Sequence, residues 1–144
     1  MDAAEQQIWS RVFGPAEQQE QSPLGQLAFL CRTSAQVYRG LLPGAQGRRR
    51  RLLTALLEEE EANHACLRGL GELMGQPLTE GRERPERGSR GKDLRRCWER
   101  SFIALREYIA RSALGEFGSV FRQMVARQER CCALLAELLG NDPA

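Results

Sequence analysis

Residues 75–91 read GQPLTEGRERPERGSRG. Gly75, Gly81, Gly88 and Gly91, together with Pro77, Pro85 and a dense scatter of charges, exclude a packed helix here. The stretch is long for a connection inside a compact domain, where loops typically run to about half a dozen residues. It falls in the middle of a chain that otherwise has helical periodicity. Val and Ile are scarce, Leu, Ala, Glu, Gln and Arg dominate, and no clean alternation marks a half-buried strand.

Two long amphipathic segments precede the stretch. The first spans about 24–42, with Leu27, Leu30, Cys31, Ser34, Tyr38 and Leu41 spaced three and four apart. Ser22-Pro23 sets a proline in its first turn, and Pro43-Gly44 ends it. The second spans about 47–74, with a stripe of Leu53, Leu56, Leu57, Glu60, Glu61, His64, Leu67, Leu70 and Met74. The short link between them makes them antiparallel neighbours.

Two more segments follow. One spans about 92–114 and carries Leu94, Trp98, Ser101, Leu105, Tyr108 and Ser112. Gly115 and Gly118 mark a corner. The last runs to about 139 with Phe117, Phe121, Met124, Val125, Gln128, Cys131, Cys132, Leu135 and Leu138, and Gly140-Asn141 is a helix stop. A short leading helix over 3–13, with Ile8, Trp9 and Val12, ends at Gly14-Pro15. The expected fold is all-α: a four-helix bundle over 23–140, preceded by a short N-terminal helix and linker over 1–22. Its links run short, long, short, with the long crossover between the second and third bundle helices.

The chain has 144 residues, enough for one domain with a real core and no need of disulfides or a structural metal. No apolar run approaches the roughly 20 residues that span a bilayer. The start, MDAAEQQIW, has no apolar signal region. Cys31, Cys66, Cys97, Cys131 and Cys132 are odd in number and include no C-x-x-C, which excludes zinc-ribbon and thioredoxin-type sites and points to the reducing cytoplasm.

One segment carries chemistry. In LLTALLEEEEANHACLRGL, Glu61 and His64 stand three apart and Glu60 and His64 four apart, so either pair shares a helix face. His64 is the only histidine. A carboxylate and an imidazole within an apolar stripe are costly to bury unless paired or bound to metal. Carboxylate and imidazole together suit iron or manganese. The plainer alternative is a solvated run of four acids, Glu58 to Glu61, beside a hydrogen-bonded core histidine.

The cadence LLTALLEEEEANHACLRGLGELMGQP, with the helix lengths and the crossover position, resembles a ferritin-like domain of the rubrerythrin type across residues 24–139, about four fifths of the chain. In that family Glu-x-x-His on the second bundle helix supplies two iron ligands, which the resemblance places at Glu61 and His64. It implies a further glutamate on the third helix, for which Glu107 is the nearest candidate. It also implies a glutamate on the first helix and a second Glu-x-x-His on the fourth. Here the first helix reads Cys31-Arg32 seven residues before Tyr38, and the fourth reads Gln128 and Cys131. The resemblance therefore implies a kept fold with a reduced or lost di-iron site, holding no ion or one ion of iron or zinc. Glu60, Gln128 and Cys131 are further ligand candidates, with Cys31 lining the same interior. Alternatively, Cys131 and Cys132 are small apolar fillers and Gln128 hydrogen-bonds His64 or a glutamate.

Arginine is clustered at Arg48 to Arg51. It is clustered again over 81–96, where seven basic residues face three acidic ones. No stacking aromatic, helix-turn-helix spacing or zinc finger accompanies them, so nucleic acid is not the expected partner. Two functions follow. One is a metal-binding, rubrerythrin-type oxidoreductase, which would need a partner for electrons because the chain has no C-x-x-C iron module. The other is a non-catalytic bundle that acts through a homodimer or a partner protein.

Overall fold

The computed structural model describes residues 22–78, 90–113 and 115–141. They form four long helices: α1 (Pro23–Leu41), α2 (Gly47–Leu73), α3 (Arg90–Ser112) and α4 (Gly118–Asn141), with a 3-10 turn, Leu42–Gly44, between α1 and α2. Among the described residues there is no strand, and no helix is long and apolar enough to cross a membrane. The expected leading helix over 3–13 and most of the crossover, residues 79–89, lie outside the described residues.

Local chemistry explains the helix ends. The Ser22 hydroxyl accepts a hydrogen bond from the Gly25 amide at 3.1 Å, and Pro23 follows in the first turn, where its missing N–H costs nothing. At the far end of α2 the Gly75 and Gln76 amides turn back to the Glu72 and Gly71 carbonyls at 3.2 and 2.7 Å. This double closure needs a left-handed residue, and Gly75 supplies it at φ +70°. A Cβ on Gly71 would stand 2.8 Å from the Gln76 carbonyl oxygen, so both ends of the closure require glycine.

Each helix turns a seam inward whose positions step alternately by three and four, with Leu30 and Ala35 of α1 and Arg100 and Ile103 of α3 buried beside it. The seam positions are Leu24, Leu27, Cys31, Ser34 and Tyr38 on α1, and Leu53, Leu56, Glu60, Asn63, Leu67 and Leu70 on α2. On α3 they are Leu94, Cys97, Ser101, Ala104 and Tyr108, and on α4 Phe121, Met124, Gln128, Cys131, Leu135 and Leu138. A 3.5-residue repeat on all four helices is the pattern of knobs-into-holes bundle packing.

The cross-links between helices give their directions. Ser34 of α1 meets Arg100 and Cys31 meets Tyr108, so α1 and α3 run antiparallel. Arg48, Glu59 and Asn63 of α2 meet Glu137, Arg130 and Met124 in turn, so α2 and α4 run antiparallel as well. The turn at Leu42–Gly44 reverses α1 into α2. Hence α2 and α3 point the same way, and α3 begins at the opposite end of the bundle from where α2 stops.

On two helices the observed phases correct the inward assignments. On α2 the face centres on Leu56, Glu60 and Asn63; Leu57 and His64 are only half-buried, and Glu61 is exposed. On α3, Cys97 takes the core position, while Trp98 is 39% exposed and Leu105 half-buried.

Candidate functional site

The core divides into two apolar clusters. One gathers Leu27, Leu67, Leu70, Tyr108, Phe121 and Met124; the other gathers Tyr38, Leu53, Leu56, Leu94, Leu135 and Leu138. Between them polar side chains lie on the same heptad seams and, in the case of Arg100, beside one. Ser34, Glu60, Asn63, Arg100, Ser101 and Gln128 are all 6% exposed or less, which for a glutamate and an arginine demands partners.

Gln128 is the hub. Its Nε2 donates to Glu60 Oε1 at 3.1 Å and to Ser101 Oγ at 2.5 Å. Its Oε1 accepts from Asn63 Nδ2 at 3.1 Å, and Asn63 also donates to the Met124 carbonyl at 3.3 Å. The Asn63 oxygen accepts from Arg127, which reaches Cys66 as well. One amide thereby ties α2, α3 and α4 together. Arg100 ties α3 to α1: its Nε donates to Ser34 Oγ at 2.9 Å and its Nη2 to Cys97 Sγ at 3.3 Å. Cys31 and the Tyr108 hydroxyl lie 3.5 Å apart across the same seam.

Burial dominates the electrostatics. It pushes Glu60 from 4.5 up to about 7; hydrogen bonds from Gln128 and Cys31, the charge of Arg100 and a bond from Cys131 pull in the other direction without winning. Burial also pushes the Cys31 and Cys131 thiols well up, and the ionised Glu60 beside them adds to it. Both are therefore neutral S–H groups near pH 7, able to donate to Glu60 but not to serve as thiolates. Tyr38 is raised by burial and then by Cys97, Glu60 and Cys131, with Arg100 opposing. Its hydroxyl is buried and has no hydrogen-bond partner among the described residues.

The residues expected as ligands are not gathered together. Glu61 points outward and pairs with Arg39 at 2.7 Å. Glu107 pairs with Arg111 on its own helix, and both are partly exposed. His64 is half-buried, one position away from the inward Asn63. Glu60, Gln128, Cys131 and Cys31 do share the interior. Among the described residues no three His, Cys, Asp or Glu side chains come together in a metal-holding group.

The midplane does not fit a complete two-metal site. It offers one carboxylate, two protonated thiols and an amide that turns its N–H toward that carboxylate. Beside them sits a guanidinium, which repels a cation in a low-dielectric interior. Burial instead favours the protonated form of Glu60, whose carboxyl is pushed up to about 7 within this hydrogen-bond network.

Asn63 and Arg100 are the members that the sequence reading did not single out. Counting sevens from Leu53 and Leu56 lands on Glu60 and Asn63, so the signal for Asn63 was present. Arg100 has no such signal, since its neighbour Ser101 holds the heptad position. Comparison with family models, with curated proteins and with solved structures finds no match for this chain.

Proposed function

We propose that the chain is a cytoplasmic ferritin-like bundle of the rubrerythrin type in which a hydrogen-bonded polar layer has replaced the two-metal centre. It acts through its surface, as a homodimer or with a partner protein, rather than through metal redox chemistry. The observation that carries this reading is the buried Arg100 guanidinium facing the interior beside the single carboxylate Glu60. A fixed internal cation offsets the carboxylate charge that a metal would otherwise neutralise. The up-down-down-up helix directions support the family assignment, because that order needs a crossover running the bundle's length between α2 and α3.

The test is metal content per chain after expression with added iron and with added zinc, repeated on His64→Ala. The expected result is no stoichiometric metal in either protein. Two irons per chain in the parent would overturn the reading. One ion lost with His64→Ala would restore the Glu61–His64 assignment and a single-ion site. One ion that survives His64→Ala would place a site elsewhere in the chain.

A further inference from the structure

α3 carries a second seam. Trp98, Phe102, Leu105 and Ile109 follow one another at steps of four, three and four, on a helix whose other seam already faces the core. Trp98 and Ile109 are 39% and 51% exposed, and Phe102 and Leu105 are half-buried. The Trp98 and Phe102 rings stack with centroids 5.9 Å apart, nearly parallel. The Arg106 guanidinium lies over the Phe102 ring at 5.8 Å, which holds this charge beside the aromatic pair. Ordered, outward aromatics at seam spacing mark a contact surface rather than a scattered apolar residue.

The pattern selects its occupant. The spacing of the seam, four-three-four, is symmetric about a point between residues 103 and 104. If two α3 helices pack antiparallel, Trp98 of each meets Ile109 of the other and Phe102 meets Leu105. Glu99 and Arg106 flank the seam on one side, one heptad apart. In an antiparallel helix pair like flanks face each other, so Glu99 of each copy meets Arg106 of the other, twice per dimer. Apolar and charge complementarity to itself is what a two-fold interface requires.

We propose that the outer face of α3 is a homodimer interface, formed by antiparallel packing of α3 against α3 of a second copy. It deepens the surface-acting reading above. Metal content and oligomeric state are separate measurements, so either claim can fail without the other.

Sedimentation velocity on the full chain tests it, with Glu99→Arg, Arg106→Glu and the double exchange, helicity being checked by circular dichroism. The full chain should dimerise reversibly. Each single reversal turns two attractions into repulsions and should weaken the dimer roughly ten- to a hundredfold. The double exchange should return the affinity close to that of the parent. Trp98→Ala should weaken dimerisation while keeping the monomer helical. A full chain that stays monomeric at all concentrations would overturn the proposal, the outcome expected if another segment or another protein covers α3. A dimer indifferent to the reversals, or a double exchange weaker than either single, would overturn it too.

Discussion

At the two ends of the bundle the inward heptad positions carry leucine and aromatic side chains; at its middle the same positions carry Glu60, Asn63, Gln128 and, beside Ser101, Arg100. The backbone repeat does not change between these levels. Only the chemistry does. An end position asks for apolar volume, and many residues meet that demand. A midplane position asks for a particular donor or acceptor at a particular height, because Gln128 must reach Glu60, Ser101 and Asn63 at once. Sliding α4 by one heptad against α2 would set Gln128 against Leu53 or Leu67 and leave Glu60 and Asn63 without it. The ends therefore supply most of the stabilisation, and the midplane sets the register.

The largest effect should come from the ends. Leu67→Ala in one cluster and Leu53→Ala in the other each empty a site that is 0% exposed. Each should cost about 2–5 kcal/mol. Urea unfolding should show a lower midpoint with an unchanged slope. A loss well below that range at one end alone would break the equivalence of the two clusters.

At the midplane the cost should depend on pH. Arg100→Met removes the cation that opposes the burial of Glu60, and should cost about 2–3 kcal/mol at pH 8. The loss should be smaller at pH 5, where Glu60 is protonated. Equal losses at the two pH values would separate Arg100 from Glu60. The complementary change, Glu60→Gln, should stabilise. The folded chain keeps the Glu60 proton up to about pH 7, whereas the unfolded chain releases it near 4.5. Below 4.5 the two states bind it equally, and between the two values the folded state binds more. Stability from this group is thus full in acid, falls as pH rises through that window, and is flat above it. The rise from 4.5 to about 7 corresponds to roughly 3 kcal/mol. Glu60→Gln should recover about 2 kcal/mol of this at pH 8 and flatten the stability curve between pH 5 and 8, as read by thermal unfolding across pH.

Much of this architecture is legible in the residues. The Gly and Pro clusters mark each helix end to within a residue or two, and the α1 and α4 stripes are read in the right phase because their off-face neighbours, such as Arg39 and Arg122, are charged. On α2 the phase is ambiguous. Leu52, Leu53, Leu56 and Leu57 form two adjacent pairs, and four consecutive glutamates follow, so the apolar arc is equally wide about either centre. The pairing of Glu61 with His64 draws the reading one position round the helix, away from Glu60 and Asn63. On α3 hydropathy points the wrong way twice. It turns Trp98 inward and leaves Arg100 to solvent, whereas Leu94, Cys97, Ser101, Ala104 and Tyr108 set the seam and carry Arg100 in with them. A buried arginine is legible only once Ser34 and Glu60 are known to wait for it, and they come from other helices.

The smallest effect should come from the residue next to the most sensitive carboxylate. Glu61 is one step from Glu60 and belongs to the same acidic run, yet its side chain is 50% exposed and meets an Arg39 that is 57% exposed. Water already solvates both charges, and holding two long side chains in one geometry costs about as much rotamer entropy as the screened attraction returns. Glu61→Gln should therefore change stability by less than about 0.5 kcal/mol, with the pH dependence of the parent intact. Thermal unfolding of Glu60→Gln and Glu61→Gln side by side at pH 5 and pH 8 checks both. The first should gain stability at pH 8 and lose the pH slope, while the second overlays the parent at both. If instead Glu61→Gln shifts the pH curve, the inward face of α2 centres on Glu61 after all, and the half-buried His64 becomes its natural partner.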